Sequence, residues 1–147
     1  MNKMISTKGR YALRAMVDIA THSQNGEYIP IKDISKRENI SIKYLEQVIA
    51  LLVRAGFLQS LRGNNGGYRL MKKPSEYTAG DIIKATEGTL APIQCLACEK
   101  NECDRYDFCS TIKFWEGYYD VINNYVNGIT LQDLVDKNLE KALNYSI

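Results

Sequence analysis

The sequence predicts a mainly α-helical chain with one β-hairpin, and three observations predict it. Segments with apolar residues at helical spacing run from Thr7 to Ser23 and from Ile42 to Gly56, with a shorter helical stretch, Ile31–Asn39, between them. Two short aliphatic and aromatic runs then flank Gly63-Asn64-Asn65-Gly66-Gly67, a composition suited to a hairpin tip. Near the C-terminus, residues 111–126 carry two apolar stripes on one long helix. Helix, short helix, capped helix and basic hairpin in that order describe a winged helix-turn-helix over residues 1–76. Residues 77–147 then form a second region, built around a cysteine loop and the long C-terminal helix.

Each element has its own signal. In the first helix Leu13, Met16, Val17 and Ala20 form one stripe, and Asn25-Gly26 ends the segment. Pro30 precedes the short helix, and Ser41 is placed to cap the next one by accepting from a free backbone N–H. In that third helix Ile42, Leu45, Ile49 and Leu52 make the expected buried face. Lys43, Gln47, Ala50 and Arg54 make a second, polar face beside Glu46, and Gly56 closes the helix. Thr78 and Asp81 form a capping box for a helix to about Glu87. In the long helix one stripe is Ile112, Trp115, Tyr119, Ile122 and Val126, continuing to Ile129; the other is Phe114, Tyr118, Val121 and Tyr125. A helix apolar on two sides needs two covers, its own domain and the same helix of a second subunit, and the first stripe is assigned to that homodimer contact. Thr130 caps a last helix, to about Ala142.

Charge divides the chain. Residues 1–73 hold thirteen Lys and Arg against five acids, and residues 74–147 hold six against twelve, within a net charge of only +2. A basic half joined to an acidic half suggests a nucleic-acid-binding module on a different partner module. There is no apolar run of membrane-spanning length and no signal core behind the N-terminal charges, so a cytoplasmic location without membrane contact is expected. No Ser/His/Asp set or nucleotide loop is present and His22 is the single histidine, so no enzyme is expected.

Double-stranded DNA admits one helix into its major groove, where side chains in the first turns reach base edges. Lys43, Glu46 and Gln47 occupy those turns. Glutamine reads adenine bidentately and a carboxylate accepts from the cytosine amino group. Arg62 beside the glycine-rich tip suits a narrow minor groove. Lys3, Lys8, Arg10, Tyr11, Lys32 and Lys36 are candidates for phosphate contacts, which position without reading sequence.

All four cysteines fall in one polar stretch, Cys95, Cys98, Cys103 and Cys109, separated by two, four and five residues. In a reducing compartment such clustering points to a metal or redox site. Zinc accepts four thiolates and so does an iron–sulfur cluster; the spacing does not separate them. Cys95-x-x-Cys98 also has redox-pair spacing, but without the βαβ surroundings of a thiol oxidoreductase.

Several stretches together carry a family resemblance: residues 6–12 (STKGRYA), 33–35 (DIS), 40–47 (ISIKYLEQ), 61–68 (LRGNNGGY), the cysteine loop through Trp115, and 129–134 (ITLQDL). On these the chain resembles the IscR-like, cysteine-bearing iron–sulfur branch of the Rrf2 family of winged-helix transcriptional regulators, over essentially residues 1–140. The resemblance implies a homodimer that binds inverted-repeat operators, as a repressor, with affinity set by an iron–sulfur cluster, [2Fe–2S] or related. It implies control of iron–sulfur assembly or of cysteine and redox genes. Zinc, or thiol redox chemistry without a cluster, is the alternative. The three family cysteines map onto Cys109, Cys103 and an upstream position, for which spacing in some relatives favours Cys95. The family pattern also has a histidine three residues beyond the last cysteine, where this chain has Ile112, so Cys98 is the candidate fourth ligand, with a ligand from elsewhere in the chain as the alternative. Cluster-free members that control cysteine metabolism through a protein partner form another subgroup, against which the four cysteines argue.

Overall fold

The computed structural model describes residues 4–97 and 104–145. Six α-helices and one hairpin follow in order: α1 Thr7–His22, α2 Ile31–Glu38, α3 Ile42–Arg54, β1 Leu58–Leu61, β2 Gly67–Leu70, α4 Ala79–Glu87, α5 Ile112–Asn127 and α6 Leu131–Tyr145. This is a winged helix-turn-helix with a long C-terminal helix, as expected. The last helix continues three residues past Ala142.

Local chemistry explains most boundaries. Asn39 ends α2 in the left-handed conformation (φ 54°, ψ 49°), and the Ser41 hydroxyl then accepts from the Tyr44 N–H at 3.2 Å to start α3. The tight link between these two helices is the turn of the helix-turn-helix. Strands β1 and β2 pair antiparallel with Leu58 opposite Leu70 and Leu61 opposite Gly67. Ile29 adds a third short edge, exchanging backbone hydrogen bonds of 2.8 and 2.9 Å with Tyr68. Gly67 is required there, because a Cβ would lie 2.3 Å from the Ile29 carbonyl oxygen. Two capping boxes, Thr78 with Asp81 and Thr130 with Asp133, open α4 and α6. They sit side by side, since Ala79 N–H donates to Ile129 O and Leu131 N–H to Tyr77 O.

Helix α1 lies at the centre, packed by α2, α3, α4 and α6. Ala12, Ala15, Met16 and Ile19 are fully buried, so the small alanines let neighbouring helices approach. Of the expected α1 stripe, Met16 and Ala20 are buried while Leu13 and Val17 stay half-buried. Gly9 has a related role: a Cβ would meet the Glu87 carboxylate at 2.6 Å. That carboxylate accepts from both the backbone N–H and the hydroxyl of Ser6, clipping the start of α1 to the end of α4.

One apolar cluster joins Leu45, Ile49 and Leu58 to Tyr77, Ile82, Leu131 and Val135. The core therefore runs across the division drawn after residue 76. Tyr77 is the main tie: its hydroxyl donates to Phe57 O and accepts from the N–H groups of Met71 and Lys72, each at 2.9–3.0 Å. What stands apart from the core is α5 with the loop before it.

The apolar face of α3 differs from expectation, and α5 shows how its two stripes lie within the chain. In α3 the buried set is Leu45, Val48, Ile49 and Leu52, whereas Ile42 is 43 % exposed. Ile42 is the first helical residue and lines the open groove between α3 and the wing. In α5 the assigned dimer stripe is the inner one. Ile112 is buried within the chain, and Trp115, Ile122 and Val126 are half-buried in an apolar groove shared with Ile83, Leu90 and Pro92; Tyr119 is half-buried as well. The other stripe faces solvent: Phe114 at 64 %, Tyr118 at 48 %, Val121 and Tyr125 at 69 %. Within the chain, α5 lies against α4 and turns the first stripe toward it.

Candidate nucleic-acid interface and cysteine loop

The fold brings the predicted readers to one surface. Leu45, Val48, Ile49 and Leu52 anchor α3 in the core, which turns Lys43, Glu46 and Gln47 outward, all exposed, at the first two turns. The wing stands beside them. Residues of the wing tip, with exposed Arg62 among them, share a groove of about 600 Å3 with Ile31, Lys32 and Ile42. In the tip Gly66 N–H donates to Gly63 O at 3.0 Å, closing the turn that follows Arg62. A helix start and a basic hairpin in this relation suit a major groove and the adjoining backbone or minor groove.

The expected phosphate contacts divide. Lys8, Lys32 and Lys36 are exposed, and so is Arg10, whose guanidinium donates to the Thr7 hydroxyl at 3.2 Å. Tyr11 is half-buried, packed edge-on against Tyr44 of α3 with centroids 5.5 Å apart, and Arg14 lies over its other side at 5.2 Å. Thr7, Tyr11, Ser41 and Tyr44 line a shallow polar depression next to the reading helix. Lys3 falls outside the described residues. Arg69 has a bracing role: it stacks 4.4 Å over Tyr28 and donates to Gln59 Oε1 and Gly26 O, fixing the wing to the loop before α2.

Behind the helix-turn-helix, Asp18 is 3 % exposed and accepts two hydrogen bonds from Arg37, at 2.9 and 2.8 Å. This fork holds α2 against α1 and raises the Arg37 pKa, the Asp18 hydrogen bonds being the main cause. Arg14 repeats the tie with Glu38 at 3.1 Å. Sequence reading missed both pairs; partners nineteen and twenty-four positions apart leave no periodic trace.

In the cysteine loop, Cys95 lies in the short turn Gln94–Leu96 and Cys109 lies three residues before α5, at the end of the turn Tyr106–Phe108, both half-buried. Cys98 and Cys103 fall outside the described residues. The Cys109 thiol is pushed down from its ordinary pKa, mainly by hydrogen bonding from the Thr111 backbone and then from the Thr111 hydroxyl 3.6 Å away, with the Ile112 backbone and Arg105 adding to it. Such surroundings shift a cysteine toward the thiolate, the form that ligates iron or zinc. Tyr106 donates to the Glu116 carboxylate, which also pairs with Lys113 at 3.4 Å, so the loop is tied to the second turn of α5. Nothing in the sequence marked that link.

The chain matches the family model described as "Rrf2: Iron-dependent Transcriptional regulator" over residues 5–137. It is 40% identical over 132 residues to the HTH-type transcriptional regulator IscR of Pectobacterium atrosepticum, covering 90% of this chain and 79% of that protein. The corresponding regulator of Aliivibrio salmonicida is 39% identical over 134 residues, covering 91% and 78%. Among solved structures, CymR, the global cysteine regulator of B. subtilis, superposes with a TM-score of 0.73 at 34% identity, covering 93% of this chain and 98% of that one. T. potens IscR does so with 0.72 at 35% identity, covering 93% and 88%. With Lys43, Glu46 and Gln47 exposed on α3, the wing beside them and a match spanning nearly the whole chain, this protein belongs to the Rrf2 family of DNA-binding transcriptional regulators.

Proposed function

We propose that this chain is a homodimeric repressor of inverted-repeat operators whose affinity is set by an iron–sulfur cluster on the loop before α5, [2Fe–2S] being the expected type. The observation that carries this reading is Cys109: hydrogen bonds from Thr111 shift its thiol toward the thiolate, and it sits three residues before α5. Cys95, Cys98 and Cys103 are the other proposed ligands. When bound, a cluster supplies a redox- and iron-responsive set of Fe–S bonds. Cys109 would pass that occupancy to the start of α5, and the Tyr106–Glu116 link would move with it. In a dimer built on α5 this resets the separation of the two reading helices, which must match half-sites about 34–36 Å apart. A coupling of about 1–3 kcal/mol gives roughly 5–150-fold control. The exposed row Phe114, Tyr118, Val121 and Tyr125 supports the dimer.

The test is anaerobic purification followed by a visible absorption spectrum and operator titrations of loaded and apo protein at one salt concentration. A charge-transfer spectrum, lost in Cys109→Ala, with unequal affinities supports the reading. Equal affinities on every operator overturn sensing. A second reading, a thiol-redox regulator without a cluster, draws on the same lowered Cys109 thiol and on the likeness to Staphylococcus aureus CymR in its oxidized form, at 32% identity. A colourless protein whose operator affinity changes with peroxide, reversibly by dithiol, favours that reading; a colourless zinc-loaded protein points to zinc.

A further inference from the structure

Ile42 is the first residue of the reading helix, directly after the Ser41 cap, and it is left 43 % exposed where the rest of the apolar face of α3 is closed. Its exposed neighbours in the first two turns are Lys43, Glu46 and Gln47. Residues four apart stack on a helix, so Ile42 and Glu46 form one outward row and Lys43 and Gln47 the next. Ile42 also lines the groove between α3 and the wing, with Lys32 on one side and Arg62 and Asn64 on the other. An aliphatic side chain thus stands among polar and basic ones on the surface that enters the major groove. It has no hydrogen bond to offer a base edge. The apolar group displayed there is the C5-methyl of thymine.

We propose that Ile42 is a specificity-determining residue that seats on a thymine methyl in each half-site. The inference rests on the operator-binding reading and deepens it. Ile42 selects T·A at one position per half-site by burying its exposed face against that methyl, while the polar neighbours read adjacent bases by hydrogen bonding. The competing role is local, a cover for Leu61, which is 46 % exposed in the same groove.

The experiment uses the full chain and operators selected by it from a random duplex pool. Each thymine of a half-site is replaced in turn by deoxyuridine, which removes the methyl alone, and affinities of wild type, Ile42→Val and Ile42→Ala are measured at one salt concentration. One substituted position per half-site is expected to weaken wild type by about fourfold, the effect of one buried methyl group. Ile42→Ala should be insensitive at that position, Ile42→Val intermediate, and both unchanged on random duplex. If no position separates wild type from Ile42→Ala, or if Ile42→Ala weakens selected and random DNA alike, the proposal is overturned and Ile42 is a cover for the wing. A pool that converges on no sequence, or on one without a required thymine, overturns it too, the former together with the operator reading.

Discussion

Replacing Val121 with Asp is expected to dissociate the proposed dimer while leaving the monomer folded. Val121 is 69 % exposed at the middle of the solvent-facing row of α5, so most of its side chain is left uncovered by its own chain. Full burial of a valine is worth about 1.5–3 kcal/mol, so its exposed part contributes about 1–2 kcal/mol per protomer. A two-fold contact uses both copies, about 2–4 kcal/mol per dimer, before the cost of burying two unpaired carboxylates is added. At 1.4 kcal/mol per decade the dissociation constant rises at least about thirtyfold. Sedimentation velocity across a concentration series reads this, with circular dichroism confirming that helix content is kept. Trp115→Asp gives a different outcome: Trp115 is half-buried in an apolar groove that Ile83 and Leu90 also line, so a charge there lowers monomer stability as well. A Val121→Asp protein with an unchanged dissociation constant would refute a dimer contact along this row.

Tyr77→Phe keeps the edge-on ring packing against Phe57 but removes one donated and two accepted hydrogen bonds, so urea unfolding should show a loss of about 2 kcal/mol in one shared transition. Two separate transitions in the wild type would contradict a core that crosses residue 76. Gln47→Ala should change base preference, whereas Lys8→Ala should weaken all duplexes alike and reduce the slope of log affinity against log salt by about 0.9 if it meets one phosphate; equal losses for Gln47→Ala on operator and random DNA remove it from the reading face. The Asp133 carboxyl is held below its ordinary pKa chiefly by the Thr130 backbone N–H, then by the Thr130 hydroxyl. Its contribution is therefore present above the unfolded carboxylate pKa and lost as pH falls through the lower folded value, so Asp133→Asn should flatten the acid limb of a stability–pH curve below about pH 4. A parallel limb in the variant would show that the cap carries no pH dependence.

By itself the sequence determined the elements and their punctuation. Ser41, Thr78 and Thr130 cap helices because a hydroxyl bonds a backbone N–H two or three residues away, and the glycines at 63, 66 and 67 make a hairpin tip through local backbone freedom. It likewise determined that Lys43, Glu46 and Gln47 face outward, since Leu45, Ile49 and Leu52 commit the opposite face to the core. The tertiary structure decided what depends on where a covering element stops. A 3.6-residue period admits Ile42 and Val48 equally to the inner arc of α3; packing covers Val48 completely and leaves Ile42 open. Both stripes of α5 are apolar, and only its placement on α4 settles which one turns inward. The Asp18–Arg37 fork, the Tyr77 clamp on the wing and the Ser6–Glu87 clip join residues far apart in the chain. Such partners are selected by three-dimensional proximity in a low-dielectric interior, where an unpaired polar group is costly, and no local spacing encodes them.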